Sequence, residues 1–185
     1  MSALFYESVL EPHFTTDLSP VTLSSSYKAL YTPSNFPYLG PGFFSRPGKR
    51  LRIMARGKMT TGATPGNLTL GLLYGTGADN NGVVVVASGA VALVANGTNL
   101  PWEVHIDVHC RSIGSAGTLF AMGSTKFALG LMLSTVQPVF LPASAPVVSG
   151  ACDLTAALIL SLQALRSGST AESMTVQDMR VTEST

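Results

Sequence analysis

Charge is what this sequence has least of. Asp, Glu, Lys and Arg make up 11% of its 185 residues, against about 25% in an ordinary soluble domain. A lone globular domain keeps its surface wet with those residues, so a chain this poor in them has much of its surface covered by something else. A bilayer is one cover, but a spanning helix needs about 20 consecutive apolar residues. Val83 to Ala95 is shorter and is interrupted by Ser88 and Gly89, and Phe127 to Leu141 contains Gly130, Ser134, Gln137 and Pro138. The first residues bring Glu7, Glu11 and Asp17 with no basic flank and no apolar run, so no signal peptide is expected. No membrane partner is expected, and protein partners are left as the cover.

Cysteine is equally scarce. Cys110 and Cys152 form no CxxC or other metal-ligand spacing. Without an export signal they read as two buried thiols acting as small hydrophobes, with a disulfide between them as the open alternative. A net charge of +1 supplies no global field for nucleic acid. The hydrophobic share of 46% excludes disorder of the whole chain.

What is present divides near residue 48. Residues 1–48 hold nine of the fourteen aromatics and six of the eleven prolines. Proline at this density stops helices and regular ladders, while aromatics at this density want burial. The segment reads either as an extended arm laid over its own domain or a neighbour, or as a long ordered loop closing one end of the domain. As an arm, residues 1–45 should be removable with the remainder still folded.

From Lys49 the pattern is strand and turn. Leu51, Ile53, Ala55, Gly57 and Met59 alternate with Arg50, Arg52, Met54, Arg56 and Lys58, the period of a half-buried strand. Leu68–Leu73, Val83–Val94, Trp102–Arg111, Thr118–Leu129 and Met174–Val181 also read as strands, separated by Gly- and Asn-rich turns. Ser134–Ala151 reads as a Pro- and Ser-rich connection. Asp153–Arg166 fits a strand face or a helix, since Ala and Leu favour helices; the turn after it favours strand. About eight strands with no helix–strand alternation predict an all-β, antiparallel two-sheet sandwich of the jelly-roll type over residues 49–185.

Two clusters could carry chemistry. On a strand, Glu103, His105, Asp107 and His109 share one face, with neighbours about 7 Å apart. His105, Asp107 and His109 are the candidate metal ligands, but they supply at most part of a site, and no acidic residue follows until Asp153. The expectation is a polar outer face, with no metal and no cofactor. The second cluster is basic: Arg46, Lys49, Arg50, Arg52, Arg56 and Lys58 are six of the eleven cations, and no acidic residue lies between Asp17 and Asp79. The patch is small and its aromatics precede it instead of interleaving, which disfavours nucleic acid. It fits protein contact, or cross-strand pairing with Glu103 and Asp107. Gly42–Lys49 lacks P-loop spacing, and Gly114–Gly117 is a hairpin turn, not a nucleophile elbow. No catalytic residues are assigned.

The hairpin Pro101–Gly114 with Gly117–Gly123, the Arg-rich LRIMARG strand, the NLTLGLLYG strand and the ending LSLQALRSGSTAESMTVQDMRV together resemble small virion structural proteins of tailed bacteriophages. The resemblance spans about residues 50–182. It implies a non-enzymatic jelly roll, often a homotrimer, that decorates or cements the capsid by binding major capsid subunits, located in the virion after assembly in the host cytoplasm. The contact residues expected for that role are Phe5, Tyr6, Phe14, Phe36, Tyr38, Phe43 and Phe44 in the aromatic segment, with Arg46, Lys49, Arg50, Arg52, Arg56 and Lys58. A genome-packaging shell protein is disfavoured, because residues 1–45 carry Lys28 as their one cation. Two alternatives stand beside it. One is a tail or receptor-binding component of the same fold, with Tyr74 as the clearest exposed aromatic for a glycan; the other is a cupin-like metalloprotein.

Overall fold

A computed structural model describes residues 7–10, 17–35, 38–128 and 136–184. Among the described residues twelve strands run β1 (Glu7–Leu10), β2 (Val21–Thr22), β3 (Lys28–Ala29), β4 (Arg50–Thr60), β5 (Asn67–Gly75), β6 (Val83–Ala87), β7 (Val91–Ala92), β8 (Leu100–Ser112), β9 (Thr118–Ala128), β10 (Val136–Leu141), β11 (Ile159–Arg166) and β12 (Ser173–Ser184). They form an all-β sandwich of two antiparallel sheets. The larger is ordered β1-β12-β4-β8-β9-β10, with β2 also on β12; the smaller is β3-β11-β5-β6, with β7 also on β5. The chain crosses between the sheets from β4 to β5 and from β11 to β12, with β4 paired to β12 and β5 to β11. β8, β9 and β10 run as a consecutive meander within the larger sheet.

The alternation of β4 and β8 builds the larger sheet's side of the core. Leu51, Ile53, Ala55 and Met59 of β4, and Trp102, Val104, Ile106, Val108 and Cys110 of β8, are buried, while the residues between them face out. Gly57 falls on the inward side of β4 where backbones crowd. A Cβ there would lie 1.9 Å from the Thr175 carbonyl oxygen on β12, so no side chain fits that position. Cys110 and Cys152 are free, buried thiols, each pushed up by burial.

β5 and β11 behave differently, because they are buried on both faces. Leu68, Leu70 and Leu72 point into the core, and Leu73 on the other side is equally covered. On β11 the inward Leu160, Leu162 and Ala164 alternate with fully buried Ser161 and Gln163. Two devices cover that outer side. Gln163 donates from Nε2 to the Ala78 carbonyl at 3.0 Å and accepts from the Asn80 N–H at 3.0 Å, which holds the turn after β5 over the sheet. The Tyr27 ring lies against Gly71, within 2.8 Å of where a Cβ would stand.

The described part of the Pro- and aromatic-rich segment is thus part of the sandwich. Leu23, Leu30, Tyr31, Leu39 and Phe44 belong to the buried core. Backbone bonds sew the segment down: Leu18 to Val176, Leu23 to Glu172, Leu30 to Leu162, and Arg166 back to Ser24. The Tyr31 hydroxyl accepts from the Leu162 N–H, and its burial raises the phenol far above its ordinary value. Below it sits a buried ion pair. Arg166 Nε stands 2.9 Å from Glu172 Oε2, with side chains 16% and 0% exposed, and donates to the Leu23 carbonyl at 3.0 Å. The Thr170 hydroxyl bonds Glu172 Oε1.

Several sequence expectations change here. The described residues of 17–48 lie over the domain they belong to. The Val83–Val94 strand is broken at Ser88, whose Oγ accepts from the Leu70 N–H at 2.9 Å and ends the pairing of β6 with β5. The connection 134–151 contains β10. The strand expected from Asp153 begins at Ile159, after a turn in which the Asp153 carboxylate accepts from the Thr155 N–H and hydroxyl.

Deleting residues 1–45 removes all five of those buried side chains. At about 1.5–3 kcal/mol each, that is comparable with a whole domain's stability of about 5–15 kcal/mol; calorimetry of the truncated chain should show no cooperative transition. Glu172→Ala should cost about 3 kcal/mol by urea unfolding, because it strands the Arg166 charge.

Candidate interaction surface

With β5 and β11 covered, the outer face of the larger sheet is a broad face that the described residues leave open. The register sets its rows. Arg56 of β4 lies between Asp178 of β12 and Glu103 of β8, which faces Lys126 of β9; Met54 lies between Arg180 and His105, which faces Ser124; Arg52 lies beside Asp107, which faces Met122; Arg50 lies beside His109, which faces Phe120. Strand period two puts all of these on one side.

Four of the cations on this face are met by opposite charges. Arg52 Nε bonds Asp107 at 2.9 Å, Arg56 bonds Asp178 at 2.6 Å, Lys126 bonds Glu103 at 2.7 Å and Lys58 bonds Asp17 at 2.9 Å. Asp17 also accepts from Gln177, the residue looped out where the register of β12 shifts. The Lys126 ammonium holds the Glu103 carboxyl below its ordinary value against the opposing effect of burial, and Lys58 and Gln177 do the same for Asp17. The basic cluster therefore lies within a mosaic of paired charge. Cross-strand pairing of Arg52 with Asp107 is as the sequence suggested; Arg56 faces Glu103 in register but takes Asp178.

The proposed ligand strand does not gather into a site. His105 and Asp107 are exposed, Asp107 is taken by Arg52, and the His109 ring meets Phe120 edge-on with centroids 6.4 Å apart. Partial burial, then Arg50 and Arg111, holds the His109 imidazole below its ordinary value against the pull of Asp107. Among the described residues no group of three His, Cys, Asp or Glu side chains is placed to hold a metal ion. A hollow of about 490 Å³ at one end of the face has Pro101, Trp102, Ala128 and Val136 in its lining and Arg56, Glu103, Lys126 and Asp178 around it. Those four charges are the ones already paired.

The aromatic contacts fare unevenly. Phe5, Tyr6, Phe14 and Phe36 lie outside the described residues. Tyr38 is 67% exposed and Arg46 is exposed. Phe44 is a core residue, 2% exposed, so it is withdrawn as a contact. Phe43 packs edge-on against it at 5.1 Å and lies 3.7 Å beneath the Lys49 ammonium. Lys49 also bonds Glu183 at 2.9 Å and the Phe43 carbonyl at 2.7 Å with little exposure, so it fastens the end of the segment and offers nothing outward. Tyr74, the expected exposed aromatic, is 3% exposed, with its phenol pushed up to about 12 by burial and by its neighbours Cys152 and Asp153. The glycan reading loses its clearest residue.

One feature of the surface escaped the sequence reading although its signal is there. No charged residue occurs in 80–102 or in 127–152. The fold brings parts of these two runs together on one flank, with Val84, Val147 and Val148 exposed around one hollow. No helix among the described residues is long and apolar enough to cross a membrane. No protein-family model matches the chain, and no curated protein matches it in sequence.

Two predictions follow from the charge mosaic. Glu103 and Asp17 have folded values below their unfolded ones, 4.5 and 3.8, so their contribution is whole above those values and is lost as pH falls through the lower folded ones. His109 is held below 6.5, so the unfolded chain takes up that proton first and stability begins to fall below about pH 6.5. Urea midpoints at pH 7, 5 and 3 should decline in that order. Asp107→Asn should cost under about 1 kcal/mol, since both partners of its ion pair are half exposed.

Proposed function

We propose that this chain is a non-enzymatic virion structural protein that decorates or cements a bacteriophage capsid by binding major capsid subunits. The observation that carries the reading is the open face of the larger sheet. It is broad, and most of its charges are matched in pairs, so it presents shape and largely neutral polarity more than a field. Such a surface suits docking on a protein lattice better than capture of nucleic acid, which takes an unneutralised basic stripe. The charge-poor composition and the resemblance over residues 50–182 support the same role. On this reading the chain sits in the virion, with Tyr38, Arg46, Arg50, Arg52 and Arg56 at the contact surface.

The test is the composition of purified particles. Quantitative mass spectrometry of density-purified virions from the virus encoding this chain should find it at a fixed ratio to the major capsid subunit. Purified chain added to particles that lack it should co-sediment, with Arg52→Glu and Arg56→Glu together reducing the bound fraction at least tenfold. Absence from the particle would overturn the reading.

A further inference from the structure

One corner of the open face departs from the pairing found along the rest of it. It lies where β4 begins, β8 ends and β9 begins. Arg50, His109 and Phe120 stand side by side there in register across the three strands. Arg111 is the extra residue of a β-bulge: Cys110 opposes Leu119 and Ser112 opposes Thr118, which leaves Arg111 without a partner on β9. A bulge re-aims the side chain it adds, and the Arg111 guanidinium carbon sits 4.5 Å over the Phe120 ring. His109 meets that ring edge-on. On the other side of β8, the Gly48 N–H donates to the Cys110 carbonyl at 2.8 Å, and a Cβ on Gly48 would meet nothing within 4 Å. Among the described residues nothing roofs the corner.

What the corner lacks is counter-charge. Among the described residues neither Arg50 nor Arg111 makes an ion pair or a side-chain hydrogen bond. The carboxylates nearest in register are engaged, Asp107 with Arg52 and Glu183 with Lys49. After burial, it is Arg50 and Arg111 together that hold the His109 imidazole down, with Asp107 opposing them, so both guanidinium fields fall on one ring. The contact with Phe120 uses none of the Arg111 N–H donors. They remain around the rim of a planar fork, a shape that fits the two oxygens of a carboxylate. We propose that Arg50 and Arg111 form a binding corner for a carboxylate side chain of a protein partner, with Phe120 holding the Arg111 fork in place.

Charge complementarity and the surroundings select that occupant. Two unmatched cations favour an anion. The unmatched arginines are few and set apart, with Arg180 two rows away on the face, whereas nucleic acid is tracked along a basic stripe. Beside the corner runs an apolar margin. Met122 follows Phe120 on the same side of β9, and Phe140 of β10 opposes Ser124, next along that side; Met122 and Phe140 are 47% and 77% exposed. Arg, Met and aromatic residues are those enriched where proteins meet proteins. The corner therefore fits a polypeptide that carries Asp or Glu beside apolar side chains. The inference does not depend on the virion reading, since the isolated chain tests it without particles.

The experiment is an NMR titration of the isotope-labelled full chain at low ionic strength with poly-glutamate, and separately with a single-stranded DNA oligonucleotide. Poly-glutamate should move the Arg111 Nε–H and His109 ring resonances. It should also raise the His109 imidazole toward its ordinary value, because an added anion reinforces Asp107 against Arg50 and Arg111. Arg50→Gln with Arg111→Gln should weaken binding about tenfold and leave the thermal midpoint near that of the wild type. Arg50→Gln alone keeps the Arg111–Phe120 contact, and it should weaken binding in the same direction even where the double variant is unstable. No binding of poly-glutamate, binding indifferent to both variants, or tighter binding of the oligonucleotide would overturn the proposal.

Discussion

Everything distinctive in this fold stems from a sheet that is apolar on both sides. An antiparallel sheet ordinarily buries one face and wets the other, yet β5 and β11 bring Leu, Ala and Ser where charge would normally stand. Gln163, the exception in size, spends its amide on the turn that lies over it. Once that outer face must be dry, the chain needs a cover, and Val21–Phe44 provides it. The Arg166–Glu172 pair, the Tyr31 hydroxyl and the backbone bonds at Leu18, Leu23 and Leu30 exist where the cover meets the sheets. The scarcity of charge follows in part from the same requirement, because a face covered from within needs no solvating residues.

Covering one side leaves the molecule two-faced. The larger sheet keeps the strict alternation that the smaller one abandons, and it carries many of the charges the chain possesses. Arg52, Arg56 and Lys126 sit opposite partners of the other sign at register positions fixed by β4, β8, β9 and β12. Their individual worth to stability is small at such exposure. Their effect is on recognition: a paired mosaic penalises misaligned docking more than it rewards approach.

How much of this could be read from the sequence depended on the period. β4 and β8 alternate without fault, so their facing, their pairing and the Arg52–Asp107 contact were legible before any coordinates. β5 breaks the alternation at Leu72–Leu73–Tyr74, and Tyr74 was therefore placed outside when it lies within. β10 was hidden by Pro138 and its Ser-rich surroundings, since proline argues against a strand until the strand is known to be an edge. The aromatic segment announced its need for burial but not its destination, because the partners of Leu23 and Tyr31 lie on strands more than a hundred residues away. The neutral flank is made from two runs that only the topology unites.

The placing of β12 has a consequence for how the protein is made. It pairs along its length with β4, more than a hundred residues earlier, and also with β1 and β2. The larger sheet therefore cannot close while residues 173–184 are still being synthesised, and the arginine-bearing edge of β4 waits unpaired on that side. Contacts of such long sequence separation make folding slow, and a waiting strand edge is where aggregation starts. The four cations that β4 holds outward, Arg50, Arg52, Arg56 and Lys58, repel an identical nascent chain during that interval. Their usefulness thus begins before the protein has folded.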